Sequence, residues 1–245
     1  MLINFNDLLL SNKVTGIIHI GAHQLEELAD YLKGNVNNVI WIEANPNKYD
    51  FINNKLKKYE NMVLGKFAAG SKNGYQILNL ANNGQSSSIL ELGTHLISYP
   101  KINYDSKIEV EIKKLDNWLD ENFKNKKLYN FINIDIQGYE LEALKGMTNQ
   151  LKIADYIYLE VNFEQVYKNC AELKEIDKLL IKFGFQRVAL RKTNAGWGDA
   201  FYTKNNNLFS RFYYFILLRI KKSPTKAYIF LLRVFRKIKK MNKIK

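Results

Sequence analysis

YNFINIDIQGYELEALKG, residues 129–146, carries the pattern that decides the fold. Phe131-Ile132-Asn133-Ile134 is a short apolar run with the length and β-branching of a buried strand. Leu141 and Leu144 follow at helical spacing, and Gly146 marks a helix end. Asp135 stands at the join, with Gly138 three residues on. A strand that ends on a carboxylate, turns on a glycine and feeds a helix puts the carboxylate where open α/β sheets bind ligands, beyond the carboxyl ends of their strands. Asp is also a favoured helix cap. Two readings of Asp135 therefore stand, site residue or cap.

The same rhythm extends in both directions. Strand-like runs are expected at 16–20, 38–42, 62–69, 74–80, 107–115, 155–161, 186–190 and 199–203. Helical spacing falls at 25–32, from Pro46 to about Lys58, at 116–123 and at 173–183. Alternation of this kind predicts an α/β fold, with a mostly parallel sheet covered on both faces. The last two strands, joined by a short polar turn, are expected to form an antiparallel edge hairpin.

Charge divides the chain in two. The net charge is +13, and residues 204–245 hold 13 Lys and Arg with no Asp or Glu, leaving 24 basic and 24 acidic residues for 1–203. This predicts a neutral domain over 1–204 and a basic appendage over 205–245 rather than a nucleic-acid-binding protein. In the appendage, Arg211, Arg219 and Lys222, and then Lys226, Arg233, Arg236, Lys237 and Lys240, share helical faces opposite aromatic and aliphatic residues. Two basic amphipathic helices suit an anionic membrane surface, and packing on the domain or on a partner is the other reading. The single cysteine, Cys170, and a start without a basic and apolar leader pattern suggest a reducing, cytoplasmic setting, with the tail on the cytoplasmic face of a membrane.

The first expected turn, Gly21-Ala22-His23-Gln24-Leu25, resembles a nucleotide-binding βα turn but lacks GxGxxG. Glu26 and Glu27 open the next helix, where they repel phosphate. Glu43, 22 residues beyond Gly21 at the end of the second strand, is placed for ribose hydroxyls. A cationic nucleoside without phosphates fits these groups, and S-adenosylmethionine is such a ligand. The plainer reading of each is a tight turn at Gly21 and a solvated strand end at Glu43.

IHIGAH (18–23), IEANP (42–46), KLDNWL (114–119), NIDIQGYELEALKG (133–146) and YLEVN (158–162) together resemble the FkbM family of S-adenosylmethionine-dependent methyltransferases, from about Thr15 to Thr203. QSSSIL (85–90), with His95 and Tyr99-Pro100, and GWGDAFY (196–202) resemble a branch associated with glycan modification. The resemblance implies a Rossmann-like sheet of seven strands and O-methylation, commonly of sugar hydroxyls. His19 and Leu25 depart from the family pattern, which has Asp and a second glycine there. They keep open a non-catalytic binding or scaffold protein that retains the fold, beside methylation of a lipid, peptide or small metabolite.

Carried over by this resemblance, His19, Gly21, Ala22 and His23 surround the methionine end of the cofactor. Glu43, Ala44 and Asn45, with Pro46 nearby, take the ribose, and Ala68 and Ala69 border the adenine. Asp135 lies by the sulfonium and is the first candidate base, with His95 and His23 behind it. Gln137, Gly138, Glu140, Glu160 and Asn162 approach from the acceptor side. Gln85, Ser86 and Ser87 on one segment, and Trp197 and Asp199 on another, are expected to line a sugar site. Nothing in the sequence has metal-ligand spacing.

Overall fold

A computed structural model describes residues 2–3, 8–9 and 13–204. The expected tail helices of 205–245 lie outside the described residues. Among those described, no helix is long and apolar enough to cross a membrane.

The chain runs β1 (Ile17–Ile20), α1 (Leu28–Lys33), β2 (Val39–Glu43), a 3-10 turn (Pro46–Lys48), α2 (Tyr49–Leu56), β3 (Met62–Lys66), β4 (Ala68–Ala69) and β5 (Gly74–Ala81). It continues with α3 (His95–Ser98), β6 (Tyr104–Lys113), α4 (Leu115–Asn122), β7 (Phe131–Ile134), α5 (Glu140–Lys145), α6 (Thr148–Ile153) and β8 (Tyr156–Asn162). It closes with α7 (Leu173–Lys182), β9 (Gln186–Lys192) and β10 (Trp197–Thr203). Seven strands form one sheet in the order β3-β2-β1-β7-β8-β10-β9. All neighbours from β3 to β8 pair in parallel, and β10 runs against both β8 and β9. This is the Rossmann-like order of a class I methyltransferase, with the antiparallel edge that the sequence suggested.

The continuous apolar runs of β1, β2, β7 and β8 are buried along their whole length. One face carries Ile18, Ile20, Ile40, Ile42, Ile132 and Ile134 against Leu115 and Leu119 of α4, Ala143 and Leu144 of α5, and Leu180 of α7. On the other face Tyr31 of α1 covers His19 and Trp41, its ring 5.9 and 5.2 Å from theirs. In-register pairing sets Ile20 beside both Ile42 and Ile134, so the strand ends that carry Gly21, Glu43 and Asp135 come level.

Three expectations are corrected. The run 62–69 is two strands. Phe67 turns inward against Trp118, ring centroids 5.2 Å apart, and Ala68–Ala69 leaves the main sheet. It joins β6 and β5 in a second sheet of three strands, ordered β4-β6-β5. The runs expected at 74–80 and 107–115 are thus strands of this small sheet, and Leu115 already begins α4. A helix the sequence reading lacked, α6, follows Gly146, and Asp116 of α4 caps it by accepting from the amides of Asn149 (2.7 Å) and Gln150 (3.0 Å). Gly146 ends α5 at φ −84°, outside the left-handed region. A side chain there would strike the Gly70 carbonyl, so close approach of two segments is what requires glycine.

Candidate active site

At the carboxyl ends of β1, β2, β7 and β8 lies a cavity of about 500 Å³, within the range of about 300–1,000 Å³ usual for small-molecule sites. Because β10 is antiparallel, its first residues, Trp197 and Asp199, reach the same end.

The first loop is fixed by its backbone. Gly21 has φ +97°, and a Cβ on it would collide with the Asp135 carbonyl. The amides of Gly21 and Ala22 both donate to the Ile42 carbonyl, at 2.9 and 3.0 Å. Ala22 is buried and does not line the cavity, so its part is to hold the turn. The His23 amide donates to Glu43 Oε2 (2.8 Å) and the Asn45 amide to Glu43 Oε1 (2.7 Å). Each Glu43 oxygen keeps lone pairs for a ligand. Burial raises the Glu43 pKa, opposed by these two amides and by Lys48. Asn45 accepts from the Asn47 amide (3.0 Å) and so starts the 3-10 turn. Ala44, Asn45, Ala68 and Ala69 line the adjoining wall.

Both departures from the family pattern have a structural account. Leu25 sits at φ +59°, the conformation that favours glycine. Left-handed backbone costs about 1–2 kcal/mol, whereas its side chain is 1% exposed, a burial that contributes about 1.5–3 kcal/mol. Burial outweighs the strain, and leucine is tolerated. His19 is buried, with Nδ1 at 2.8 Å from the Tyr31 hydroxyl and Nε2 at 3.1 Å from the Gly21 carbonyl. Asn133 completes the group by donating to the Tyr31 oxygen at 2.9 Å. Burial lowers the His19 pKa to about 4 despite Asp135, so the ring is neutral. Its Nε2–H thus donates to Gly21, and His19 braces the first turn from beneath while its edge lines the cavity.

A strap from Asn83 to Ser88 crosses the cavity. The Gly84 carbonyl faces His23 Nε2 at 3.0 Å and accepts from Lys48 at 3.3 Å. His23 Nδ1 lies 2.5 Å from Glu26. Burial alone would raise the Glu26 pKa, but His23 and the Gln24 amide contribute to holding it at about 2. Gln85 and Ser86 rest on Asn83, whose side chain accepts from both their amides, and Ser87 accepts from the Ala81 amide at 3.1 Å. Ser88 donates to the Gln137 carbonyl at 2.7 Å, tying the strap to the central motif.

Asp135 opens into the cavity and does not cap α5, which starts five residues later at Glu140. Glu140 takes the local role, accepting from the amides of Ile136 (3.2 Å) and Gly138 (3.0 Å). Neither Gly138 nor Glu140 lines the cavity, and nor does the fully buried Asn162. Gln137, at φ +56°, donates to Asp135 Oδ1 (2.6 Å) and accepts from the Tyr167 hydroxyl (2.5 Å). Asp135 is itself exposed to the cavity; desolvation by the surrounding walls raises its pKa, Gln137 opposes it, and Asp199 and Glu27 add to it. His95 is buried beside Tyr99 and Tyr167, with Nε2 3.4 Å from Ser86 Oγ and Nδ1 unpartnered among the described residues. Burial lowers its pKa. Glu160, Asp199 and Trp197 complete this wall.

Lys48, Glu26, Tyr158 and Tyr167 also line the cavity and were not among the expected residues. Tyr158 was within reach, since it lies two residues before Glu160 and so on the same strand face. Tyr167 and Lys48 arrive from turns and carry no local signal.

A family profile described as the methyltransferase FkbM domain matches residues 19–187. The chain belongs to this family. A curated relative, the 2-O-methyltransferase NoeI of Sinorhizobium fredii (strain NBRC 101917 / NGR234), is 31% identical over 98 residues, a match spanning 40% of this chain and 40% of the relative. Among solved structures, a putative RNA methyltransferase from Pyrococcus horikoshii gives a TM-score of 0.45 at 10% identity, over 82% of this chain and 81% of that one. Fibrillarin from Aeropyrum pernix, solved with natively bound S-adenosyl-L-methionine, gives 0.44 at 9% identity, over 81% and 73%. Scores of this size leave the topology to be read from the strand order itself.

The cofactor of an FkbM methyltransferase is S-adenosylmethionine, and the residues present fit it. Glu43 offers two aligned acceptors, Ala68 and Ala69 an apolar wall, and among the described residues six carboxyl side chains and one lysine line the cavity. That balance suits a ligand with a sulfonium and an ammonium.

Proposed function

We propose that this FkbM methyltransferase transfers a methyl group to a hydroxyl of a sugar, in a glycan or a lipid-linked saccharide. The observation that carries the reading is the convergence of Glu43 and Asp135, the acids at two parallel strand ends, in one cavity whose far wall holds Ser86, His95, Tyr99 and Trp197. The likeness to a 2-O-methyltransferase supports an oxygen acceptor.

S-adenosylmethionine, when bound, supplies a methyl group on a sulfonium, already a good leaving group. The chain has to hold the acceptor oxygen in line and take its proton as the O–C bond forms. In our reading Glu43 receives the ribose hydroxyls, and Gly21 with His23 shapes the methionine end. Asp135, oriented by Gln137, is the base, and its raised pKa brings it closer to the working range of a general base. His95, neutral through burial, is the second candidate. Ser86, Gln85 and Trp197 bind the acceptor. We assign the basic segment 205–245 to an anionic membrane surface, on its 13 Lys and Arg counted with Lys204 and its lack of acids.

The test is release of S-adenosylhomocysteine by the full chain supplied with S-adenosylmethionine and a panel of saccharides. Asp135→Asn is expected to lower turnover by at least about 100-fold and to bind S-adenosylhomocysteine within about 3-fold of wild type, about 0.6 kcal/mol. Full turnover by the variant would remove Asp135 as the base.

A further inference from the structure

Among the described residues, four carboxyls gather near the acceptor end of the cavity, Glu140 behind its wall and Asp135, Glu160 and Asp199 lining it, and three of the four are engaged. Asp135 accepts from Gln137, Glu140 from two amides, and Asp199 from the Tyr158 hydroxyl and the Leu2 amide. Glu160 differs. It is 8% exposed, it lines the cavity, and no described residue donates a hydrogen bond to its carboxyl. It stands directly across the strand pair from Asp199, so both side chains leave the same face of the sheet. A buried carboxyl without a partner is costly, and here the open side belongs to the cavity.

The partner that completes it is limited by charge. Lys48 is the lone Lys or Arg among the described lining residues, and it is committed to the Gly84 carbonyl on the cofactor side. A phosphate or carboxylate beside Glu160 would sit among Asp135, Glu160 and Asp199, with no Lys or Arg of the described residues beside it. Burial, then Asp135, Glu140 and Asp199, raises the Glu160 pKa well above its ordinary value, against a smaller opposing effect of the amino-terminal charge. In its protonated form the acid can donate one hydrogen bond and accept others, which matches a hydroxyl. Trp197 lines the same wall and offers an aromatic face to a ring.

We propose that Glu160 is the acceptor-anchoring group of this cavity, and that the ring it holds is uncharged and bears free hydroxyls, with neither phosphate nor carboxylate. This rests on the methyltransferase reading above and narrows its acceptor.

The experiment is ligand-observed saturation-transfer NMR on the full chain saturated with S-adenosylhomocysteine. The probes are equimolar methyl glycosides of common hexoses, the matching uronic acids and the hexose 6-phosphates. Neutral glycosides are expected to bind, with the two anionic sets at least about 10-fold weaker. Glu160→Ala should lower neutral binding by about 10-fold, a hydrogen-bonding loss, while Glu160→Gln, which can still donate and accept, should stay within about 3-fold. Both variants discard an unpartnered buried acid, so both should fold, and a thermal melt checks this. Anionic sugars binding as well as neutral ones, unchanged binding in Glu160→Ala, or no saccharide binding at all would each overturn the inference. Failure of S-adenosylhomocysteine itself to bind would overturn the cofactor reading and this inference with it.

Discussion

Glu43→Gln tests the cofactor half of the cavity most sharply. In the wild type each Glu43 oxygen accepts one backbone amide, from Asn45 at 2.7 Å and His23 at 2.8 Å. A glutamine has one carbonyl oxygen, so in either orientation its NH2 group meets an amide N–H that needs an acceptor. One charge-assisted bond is lost, about 1.5–3 kcal/mol. Removal of a charge that is 7% exposed offsets part of this, and the variant should remain folded with a modestly lower melting temperature. Toward the ribose the change is larger in effect, because a carboxylate that accepts two hydroxyls becomes one acceptor and one donor. Loss of one such bond, again about 1.5–3 kcal/mol, corresponds to roughly 10- to 150-fold weaker binding. Calorimetric titration of S-adenosylhomocysteine into both proteins reads this directly. A folded Glu43→Gln protein that binds within about 2-fold of wild type, under about 0.5 kcal/mol, would refute the assignment and leave Glu43 as a brace for the first loop.

The remaining expectations concern stability and the tail. His19 stays neutral in the fold down to about pH 4, from an ordinary 6.5. The unfolded chain therefore binds the extra proton first, and stability falls as pH drops through that window by about 3 kcal/mol. Glu140, raised to about 7 chiefly by burial, acts in the opposite direction, so the quantity to measure is the denaturation free energy of wild type minus His19→Gln. That difference should shrink by about 3 kcal/mol from pH 7 to pH 4, and a flat difference contradicts the buried neutral ring. Gly21→Ala forces a methyl group into the Asp135 carbonyl at φ +97°, and urea unfolding should show a loss of about 2–6 kcal/mol together with lost cofactor binding. Deletion of 205–245 should release the protein from anionic liposomes in a sedimentation assay and spare cofactor binding. Equal sedimentation of both forms would end the membrane assignment.

The main sheet was legible because its central strands are buried on both faces. Such strands read as unbroken apolar runs, and their last residues are then fixed by position alone. Gly21, Glu43 and Asp135 were found that way, each as the first residue that breaks or ends a run. The second sheet was not legible, because the exit of β4 hangs on one side chain, Phe67, turning onto Trp118 from a distant helix. Helix α6 was missed because six residues are too few to show a period, and its cap, Asp116, lies 32 residues earlier than Thr148. Glu140 was expected on the acceptor side, and only the turn geometry shows that its carboxyl is taken up by its own loop. The His19 group draws on β1, α1 and β7, so nothing local announces that the histidine is a brace.

The direction of β10 has one more consequence. The cofactor half of the cavity is built from places where parallel strands stop, and each is followed by a crossover that the sheet needs. Trp197 and Asp199 instead follow directly on the hairpin turn at 193–196, which closes on itself through the Thr193 amide and hydroxyl, both donating to the Trp197 carbonyl at 2.8 and 2.7 Å. Such a turn can be exchanged or lengthened without re-routing any crossover. On the proposed role of Trp197 and Asp199 at the acceptor, what the enzyme methylates can then drift in evolution, or be re-engineered, independently of how it uses its methyl donor.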